Sequence, residues 1–300
     1  MHIGPRRGVE RLLETVPAMG KNPFLSFDGA AIMSTHPRDY CEVDDVVSDL
    51  REKGFRAVPC YGVHPWFLYD LLTSSDEEVD WLGELKNRLI DHPDSIVGEI
   101  GLDGARWVEV NNSNKEKNIW KRERVLACPM ELQRKAFEEQ LFLATELQRP
   151  VSIHVVSAWG ELFAAFDNVR ARIKNELIGD EHPNRRNTKL LPPKIYFHAF
   201  SGKAGALPSI RSACTKGNIP FEDVYFGFAP AIPNFYAAKT PSIMKKIGIR
   251  QLLLETDLED ATNLWDDLKI GVKGISKALE ISESEVARQT RENADRFYFT

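Results

Sequence analysis

The sequence predicts an α/β fold, a TIM-type (β/α)8 barrel, on three observations. Seven short apolar runs bounded by Gly, Pro, Asp or His recur along the chain, as expected of strands that are buried on both faces. Longer charged segments with helical spacing lie between most of these runs, and this alternation implies a parallel sheet. No glycine-rich phosphate loop follows any run, which favours a barrel over an open doubly wound sheet.

The predicted strands, in chain order, are GAAIMST (29–35), RAVPCYGVH (56–64), SIVGEIGLD (95–103), VSIHVV (151–156), KIYFHAFSG (194–202), VYFGFAP (224–230) and QLLLETD (251–257). In MELQRKAFEEQLFLATELQRP, one helical face runs from Phe137 to Gln148, and Pro150 is expected to end the helix. The last helix is predicted to begin after Ser282, because Glu285 follows it at the spacing of a capping box.

Length and composition favour one domain and exclude several function classes. A chain of 300 residues that is 43% hydrophobic can bury a large core, and no Pro/Gly/Ser-rich linker divides it. We therefore expect residues 1–28 to be an atypical N-terminal segment and residues 29–300 to form a single barrel domain. The net charge of −5 predicts no global attraction to nucleic acid, so a nucleic-acid substrate would need local basic groups.

Cysteine spacing and hydropathy bear on the compartment. The four cysteines are far apart and make no C-x-x-C pair, which argues against a disulfide framework and a thiolate zinc site. An intracellular, reducing location in the cytoplasm or the nucleus fits best. No apolar run is long enough for a secretion signal or a membrane span, so we expect neither.

Two polar segments interrupt the alternation. Residues 104–129 form a long insertion with basic residues around Trp120, among them Lys121 and Arg122. Residues 179–193 form a second polar loop. Long loops without secondary structure are usually functional or disordered. Two interpretations of the first insertion stay open: a solvated charged loop, or a contact to substrate phosphate near the barrel mouth.

Ionisable residues gather at the carboxyl ends of the predicted strands, where barrels place their chemistry. They are His64, Glu99, Asp103, His154, His198, Glu255 and Asp257. A single histidine at such a position is more often a core or turn residue, but Glu99 lies inside an apolar strand, where a carboxylate needs a partner or a metal. Histidines and carboxylates without cysteine suit Zn²⁺, Mn²⁺ or Mg²⁺. Such an ion activates water, and Asp257 is the candidate to accept the proton, which predicts metal-assisted hydrolysis.

The same residues belong to an ordered set of motifs. The motifs are GVHPW (62–66), VGEIGLD (97–103), PVSIH (150–154), FHAFSG (197–202), LLLETD (252–257) and REN (291–293). In this order they resemble the motifs of the TatD family of metal-dependent deoxyribonucleases, within the amidohydrolase-like barrel superfamily. Any one motif alone is weak, whereas the ordered set is specific.

The resemblance implies a role for each matching residue. It makes Glu99 a catalytic carboxylate shared between two divalent ions, and His154 and His198 metal ligands. Asp257 would be a ligand that also orients or deprotonates the water. His64 would lie near the substrate phosphate. The implied activity is hydrolysis of phosphodiester bonds in DNA.

Three departures from the family pattern leave alternatives open. The family opens on a strand with D-x-H-x-H, whose histidines bind one metal, and this sequence has no H-x-H. We therefore expect the first strand to be missing or irregular. We also expect the site to hold one metal ion rather than two. Either the sequence starts downstream of that strand or the protein has lost that half of the site. Many relatives also carry an arginine where this chain has Val156, and the enlarged insertion resembles a fungal-type branch with members named for binding a helical-repeat cell-cycle subunit.

Three functions are thus in competition. The first is a metal-dependent phosphodiesterase acting on DNA, which the basic insertion slightly favours. The second is a catalytically impaired barrel that serves as a protein-binding module, and the third is a hydrolase of a small ester, lactone or amide.

Without a first strand the barrel has about seven strands and an open seam, and an exposed strand edge promotes aggregation. We expect residues 1–28, with PFLSF as a strand and GVERLLETVPAM as a helix, to cover the seam or remain poorly ordered.

Overall fold

The computed structural model of the chain describes residues 29–73, 80–114, 119–178, 188–258 and 263–299. The strands in these ranges are β1 Gly29–Met33, β2 Arg56–Tyr61, β3 Ile96–Asp103, β4 Trp107–Asn114, β5 Ile119–Leu126, β6 Val151–Val156, β7 Ile195–Phe197, β8 Val224–Gly227 and β9 Leu252–Leu253. The α-helices are α1 Tyr40–Glu52, α2 Leu68–Thr73, α3 Trp81–Asp91, α4 Met130–Glu146, α5 Trp159–Ile173, α6 Ala206–Lys216, α7 Thr240–Ile247, α8 Leu264–Leu279 and α9 Glu283–Tyr298.

Seven strands form one parallel sheet in the order β1-β2-β3-β6-β7-β8-β9. Parallel neighbours require crossover connections, and the helices between these strands supply them. The sheet curls as a (β/α) barrel does, which confirms the predicted fold class. Within the ranges described, β1 and β9 are the two ends of the sheet and do not pair with each other. The predicted strand, helix and seam cover in residues 1–28 lie outside the described residues.

The inner face of the sheet is filled by alternate strand residues. They are Val58, Cys60, Ile96, Tyr196, Tyr225 and Leu253, all buried in one cluster. Their neighbours along the strands face the helices, because successive side chains of a strand point to opposite faces. The end of α9 also enters this inner cluster: Phe297 packs edge-on against Tyr196 at 5.6 Å and Tyr225 at 5.4 Å between ring centroids. The C-terminal helix thus helps to fill the inside of the barrel.

The two helices singled out from the sequence are present, with one difference. Phe137 and Leu141 of α4 are buried against the sheet as predicted. The helix ends at Glu146, however, so Gln148 does not continue its buried face as expected; it adopts a left-handed φ of 53° in the turn before Pro150. At the other helix, the hydroxyl of Ser282 accepts the backbone N–H of Glu285 at 3.1 Å, as an N-cap does.

The insertion after Asp103 is not a structureless loop, and that expectation was wrong. Its residues form a separate antiparallel pair, β4 and β5, in register from Trp107 with Leu126 to Asn114 with Ile119. The segments WVEV and IWKRERVL are rich in the β-branched and aromatic residues that favour strands, and the polar residues NNSN continue β4 to Asn114. Side chains at 109–124, including Lys121 and Arg122, and residues 179–187 of the second loop lie outside the described part.

Most of the predicted strands end earlier than expected. The strand ladders stop at Tyr61, Phe197 and Leu253, so the polar motif residues beyond these points lie in loops: His64, His198, Glu255 and Asp257. Beyond the strand ladders, at the carboxyl edge of the sheet, the backbone is irregular and can direct each side chain toward the barrel axis. In the part of the chain that the structure describes, no helix combines the length and the apolar character that crossing a membrane requires.

Candidate metal centre

The carboxylate of Glu99 is the middle of the candidate site. Glu99 lies within β3, and its Oε1 faces ring nitrogens from three other loops or strands: His154 Nδ1 at 3.3 Å, His198 Nε2 at 3.6 Å and His64 Nε2 at 3.7 Å. All of them lie at the carboxyl edge of the parallel sheet. The structure therefore brings together residues that are separated by about a hundred positions in the sequence.

Asp103 holds the far side of the His154 ring. Its Oδ2 lies 3.2 Å from His154 Nε2 and accepts the indole N–H of Trp66 at 2.6 Å. Its Oδ1 accepts the backbone N–H groups of Ala105 at 2.7 Å and Arg106 at 3.0 Å. Burial favours the neutral acid, but these bonds outweigh it and lower the pKa of Asp103 to about 2. The carboxylate is thus ionised and fixed in orientation.

Glu255 holds the far side of the His198 ring in the same manner. Its Oε2 lies 2.7 Å from His198 Nδ1 and also accepts the hydroxyl of Tyr196. Its Oε1 accepts the backbone N–H of Ala199 at 2.9 Å. On the other side of the ring, His198 Nε2 lies 2.9 Å from Oδ1 of Asp257. Asp257 is the more exposed of these two acids, since its side chain is 29% exposed against 10% for Glu255.

The charges of the centre are mutually dependent. Burial alone would raise the pKa of Glu99, but the adjacent His198, His64 and His154 hold that pKa well below its usual range. Burial lowers the pKa of His154, yet its bonds to Asp103 and Glu99 prevail and raise it to about 9. Burial also opposes charge on His198, whose pKa is raised well above its usual value by the surrounding carboxylates. Buried carboxylates in this centre thus require positive charge close by.

His64 differs from the other two imidazoles. It is buried, and burial lowers its pKa to about 3, so the ring is neutral at pH 7. Its Nδ1 accepts the backbone N–H of Trp66 at 3.2 Å. The proton of the neutral ring therefore lies on Nε2, the nitrogen that faces Glu99. In this tautomer His64 is a hydrogen-bond donor to the centre.

Three residues around the site have left-handed backbone conformations. They are Ser157 (φ 52°), directly after β6, Ala199 (φ 40°), in the loop after β7, and Asp257 (φ 55°), in the loop after β9. Such conformations cost free energy for residues other than glycine and cluster at functional sites. In the turn after β7, Ala199 bears the left-handed conformation, and Gly202 is required because a Cβ there would meet the Phe200 ring at 2.4 Å.

The residues fit a divalent cation. Ligand atoms of His64, Glu99 and His154 lie within 4.8 Å of one another, and His198 Nε2 faces the same oxygen of Glu99. Within the described ranges, no lysine or arginine lies at ion-pair distance from Glu99, so histidines alone balance its charge. Imidazole and carboxylate donors together suit Zn²⁺ and Mn²⁺, and carboxylates suit Mg²⁺. In the loop after β1, Nδ1 of His36 accepts the backbone N–H of Arg38.

Several residues of the site had no role assigned from the sequence. Asp103 and Glu255 were recognised only as acids at strand ends, and Trp66 and Tyr196 only as parts of motifs. Strand pairing supplies the missing information: β3 and β6 are neighbours with Gly101 opposite His154, so Asp103 lies just beyond that histidine toward the mouth. A sequence motif contains no such cross-strand distance.

Comparisons with known proteins place the chain among its relatives. Among curated proteins, the chain is 23% identical over 317 residues to the Cut9-interacting protein scn1 of Schizosaccharomyces pombe, covering 91% of this chain and 92% of that protein. It is 24% identical over 247 residues to the uncharacterized metal-dependent hydrolase YabD of Bacillus subtilis, covering 79% and 77%.

Among solved structures, the TatD homologue YJJV of Escherichia coli superposes with a TM-score of 0.65 at 19% identity, covering 97% of this chain and 92% of that one. This likeness shows the shared fold. The sequence model described as TatD related DNase matches residues 25–299. The chain therefore belongs to the TatD family of metal-dependent hydrolases.

Proposed function

We propose that this protein is a divalent-metal-dependent phosphodiesterase that acts on DNA. One observation carries the proposal: Glu99 faces His154 Nδ1 and His198 Nε2, and a buried carboxylate holds the opposite nitrogen of each ring. Carboxylates that orient metal-binding histidines in this way are a recurring feature of metalloenzymes. DNA hydrolysis is the general activity of the family.

Glu99, His154, His198 and Asp257 would hold the metal. When bound, a divalent ion lowers the pKa of a water molecule and stabilises negative charge on a phosphoryl oxygen. We expect one ion from the residues described. Mg²⁺, Mn²⁺ and Zn²⁺ are the candidates, and a second ion would require ligands from the strand that carries H-x-H in the family.

The chain's own groups have separate tasks in this reaction. Asp257 accepts the proton of the attacking water, because it is the site carboxylate with the greatest exposure toward the mouth and is fixed by His198. His64 donates its Nε2 proton in a hydrogen bond to the phosphoryl oxygen, since the backbone of Trp66 occupies its other nitrogen. Lys121 and Arg122 on β5 would bind flanking phosphates.

The test of this proposal uses purified full-length protein. We expect about one metal ion per chain by elemental analysis after dialysis, and release of nucleotides from DNA with Mg²⁺, Mn²⁺ or Zn²⁺. Glu99→Gln and Asp257→Asn should each reduce turnover by at least about 100-fold. Asp266→Asn, on the exposed start of α8, is the matched control. Unchanged turnover in the first two variants would sink the assignment.

A non-catalytic protein-binding role is the second candidate. The fungal relative is named for its interaction with Cut9, and this sequence has no H-x-H and carries Val156 where many relatives carry an arginine. This role predicts a weakly held metal, no turnover and a protein partner in the cytoplasm or nucleus. A third candidate, hydrolysis of a small ester, lactone or amide, predicts turnover of such compounds that exceeds turnover of DNA with the same metal.

A further inference from the structure

Arg106 and Trp66 form a stacked pair on the rim of the metal centre. The guanidinium carbon of Arg106 lies 4.3 Å from the centroid of the Trp66 ring, which places the charge over the ring face. Trp66 in turn lies edge-to-face with His64, at 5.1 Å between centroids, and with His154, at 6.0 Å. The indole therefore separates the guanidinium from the imidazoles of the centre.

One buried carboxylate fixes both members of the pair. Asp103 accepts the indole N–H of Trp66 at 2.6 Å and the backbone N–H of Arg106 at 3.0 Å. Asp103 itself is almost fully buried and is held by the side chain of Gln133, which donates to its backbone oxygen at 3.1 Å and accepts its backbone N–H at 2.7 Å. The Trp66 ring and the backbone of Arg106 are thus held before any substrate binds, which lowers the entropy cost of ordering them on binding.

The guanidinium is free to bind an anion. Arg106 is exposed, and among the side chains that the structure describes no carboxylate lies at ion-pair distance from it. Stacking on an aromatic face leaves the in-plane N–H groups of an arginine available, and these donate in pairs to phosphate oxygens. The site around it contains Glu99, Asp103 and Asp257, so an anionic substrate needs a positive group at its edge.

We infer that Arg106, supported by Trp66, binds a second phosphate of a polynucleotide strand, next to the phosphate that is hydrolysed. The inference rests on the proposed function and specifies its substrate as a chain. Because the Trp66 ring lies between the guanidinium and the His64 and His154 rings, Arg106 would meet a phosphate beside the centre rather than the group held at Glu99. A substrate with one phosphate does not use this contact.

The decisive measurement is the salt dependence of binding. Fluorescence anisotropy of a labelled phosphorothioate hexathymidylate, which resists hydrolysis, is recorded with Mn²⁺-loaded full-length protein over a range of salt concentrations. For single strands, each phosphate contact contributes about 0.7 to the slope of log affinity against log salt. Arg106→Gln should lower that slope by about 0.7 and weaken binding about tenfold at low salt. Arg106→Lys should retain most of the slope.

Two controls separate this contact from general charge and from folding. Lys53→Gln removes one charge at the opposite end of the barrel, just before β2, and should leave the slope unchanged. Urea unfolding should show that Arg106→Gln is as stable as the wild type, because the side chain is exposed. With bis(4-nitrophenyl) phosphate, which carries one phosphate, Arg106→Gln should reduce kcat/KM much less than it reduces the affinity for hexathymidylate.

The outcomes distinguish this inference from the proposed function. An unchanged salt slope in Arg106→Gln overturns the inference, even if the wild type cleaves DNA. Equal loss with hexathymidylate and with bis(4-nitrophenyl) phosphate also overturns it, because the contact would then act on the hydrolysed group. If the wild type neither binds hexathymidylate nor cleaves DNA, the proposed substrate fails and the inference fails with it.

Discussion

Oε2 of Glu255 lies 2.7 Å from Nδ1 of His198, on the side of the ring that faces away from Glu99. His154 repeats the arrangement with its two nitrogens exchanged: Nε2 faces Asp103 and Nδ1 faces Glu99. Each imidazole therefore has one nitrogen committed to a buried carboxylate and the other directed to the centre. This relationship determines which nitrogen is available to a metal.

Removing either carboxylate charge should weaken metal binding. We expect Glu255→Gln and Asp103→Asn each to lower metal affinity by about 10–100-fold, because the histidine ring loses the group that orients it and increases its basicity. The measurement is competition for Mn²⁺ or Zn²⁺ with a chelating dye. Glu146→Gln, a partly exposed acid at the end of α4, serves as the control with unchanged affinity. Equal affinity in all three variants would contradict the role of Glu255 and Asp103.

Metal should stabilise the folded chain through Glu99. A metal that binds only the folded state raises the free energy of unfolding by about 2.7 kcal/mol when its concentration is 100 times Kd. We expect Mn²⁺ to raise the Tm of the wild type and EDTA to reverse the rise. In Glu99→Gln, the carboxylate that faces all three imidazoles is lost, so the metal-dependent shift should disappear. A shift of the same size in that variant would exclude Glu99 as a ligand.

The C-terminal helix should be essential for the barrel interior. Phe297 is 1% exposed and packs against Tyr196 and Tyr225, so Phe297→Ala should cost about 3–5 kcal/mol of unfolding free energy. Phe299 is 42% exposed and lies under the guanidinium of Arg56, at 3.6 Å from its ring centroid. Phe299→Ala should therefore cost under about 1 kcal/mol. Urea unfolding checks both values, and equal costs would show that the end of α9 does not fill the interior.

Glycine should relieve the strained turn after β7. Ala199 has a φ of 40°, a conformation that is unfavourable for alanine, and only its backbone N–H bonds to Glu255. Ala199→Gly keeps that bond and should raise the free energy of unfolding by about 0.5–1 kcal/mol. The same substitution in a regular helix should have the opposite effect: Ala287→Gly in α9 should lower the free energy of unfolding by about 1 kcal/mol. Destabilisation by Ala199→Gly in urea unfolding would contradict the strain.

The fold could be predicted because its signals are local. Apolar runs alternate with helical segments, and a parallel sheet buries such runs on both faces, so the order of elements limits the choice to few folds. The insertion after Asp103 was misjudged because its central polar and charged residues resemble a loop, although the β-branched and aromatic residues of WVEV and IWKRERVL favour strands. The strands that end at Phe197 and Leu253 were predicted to be longer than they are, because the hydropathy of a segment does not show where its hydrogen-bond ladder ends.

The sequence by itself determined which chemical groups this protein presents at its barrel mouth: Glu99, His154, His198 and Asp257 follow from their positions at successive strand ends. Only the tertiary structure decided how those groups are paired. That Asp103 serves His154 while Glu255 serves His198, and that Trp66 connects the centre to Arg106, depends on which strands are neighbours and how each loop turns. Such contacts join residues from different elements, and their distances are set by packing of the whole barrel.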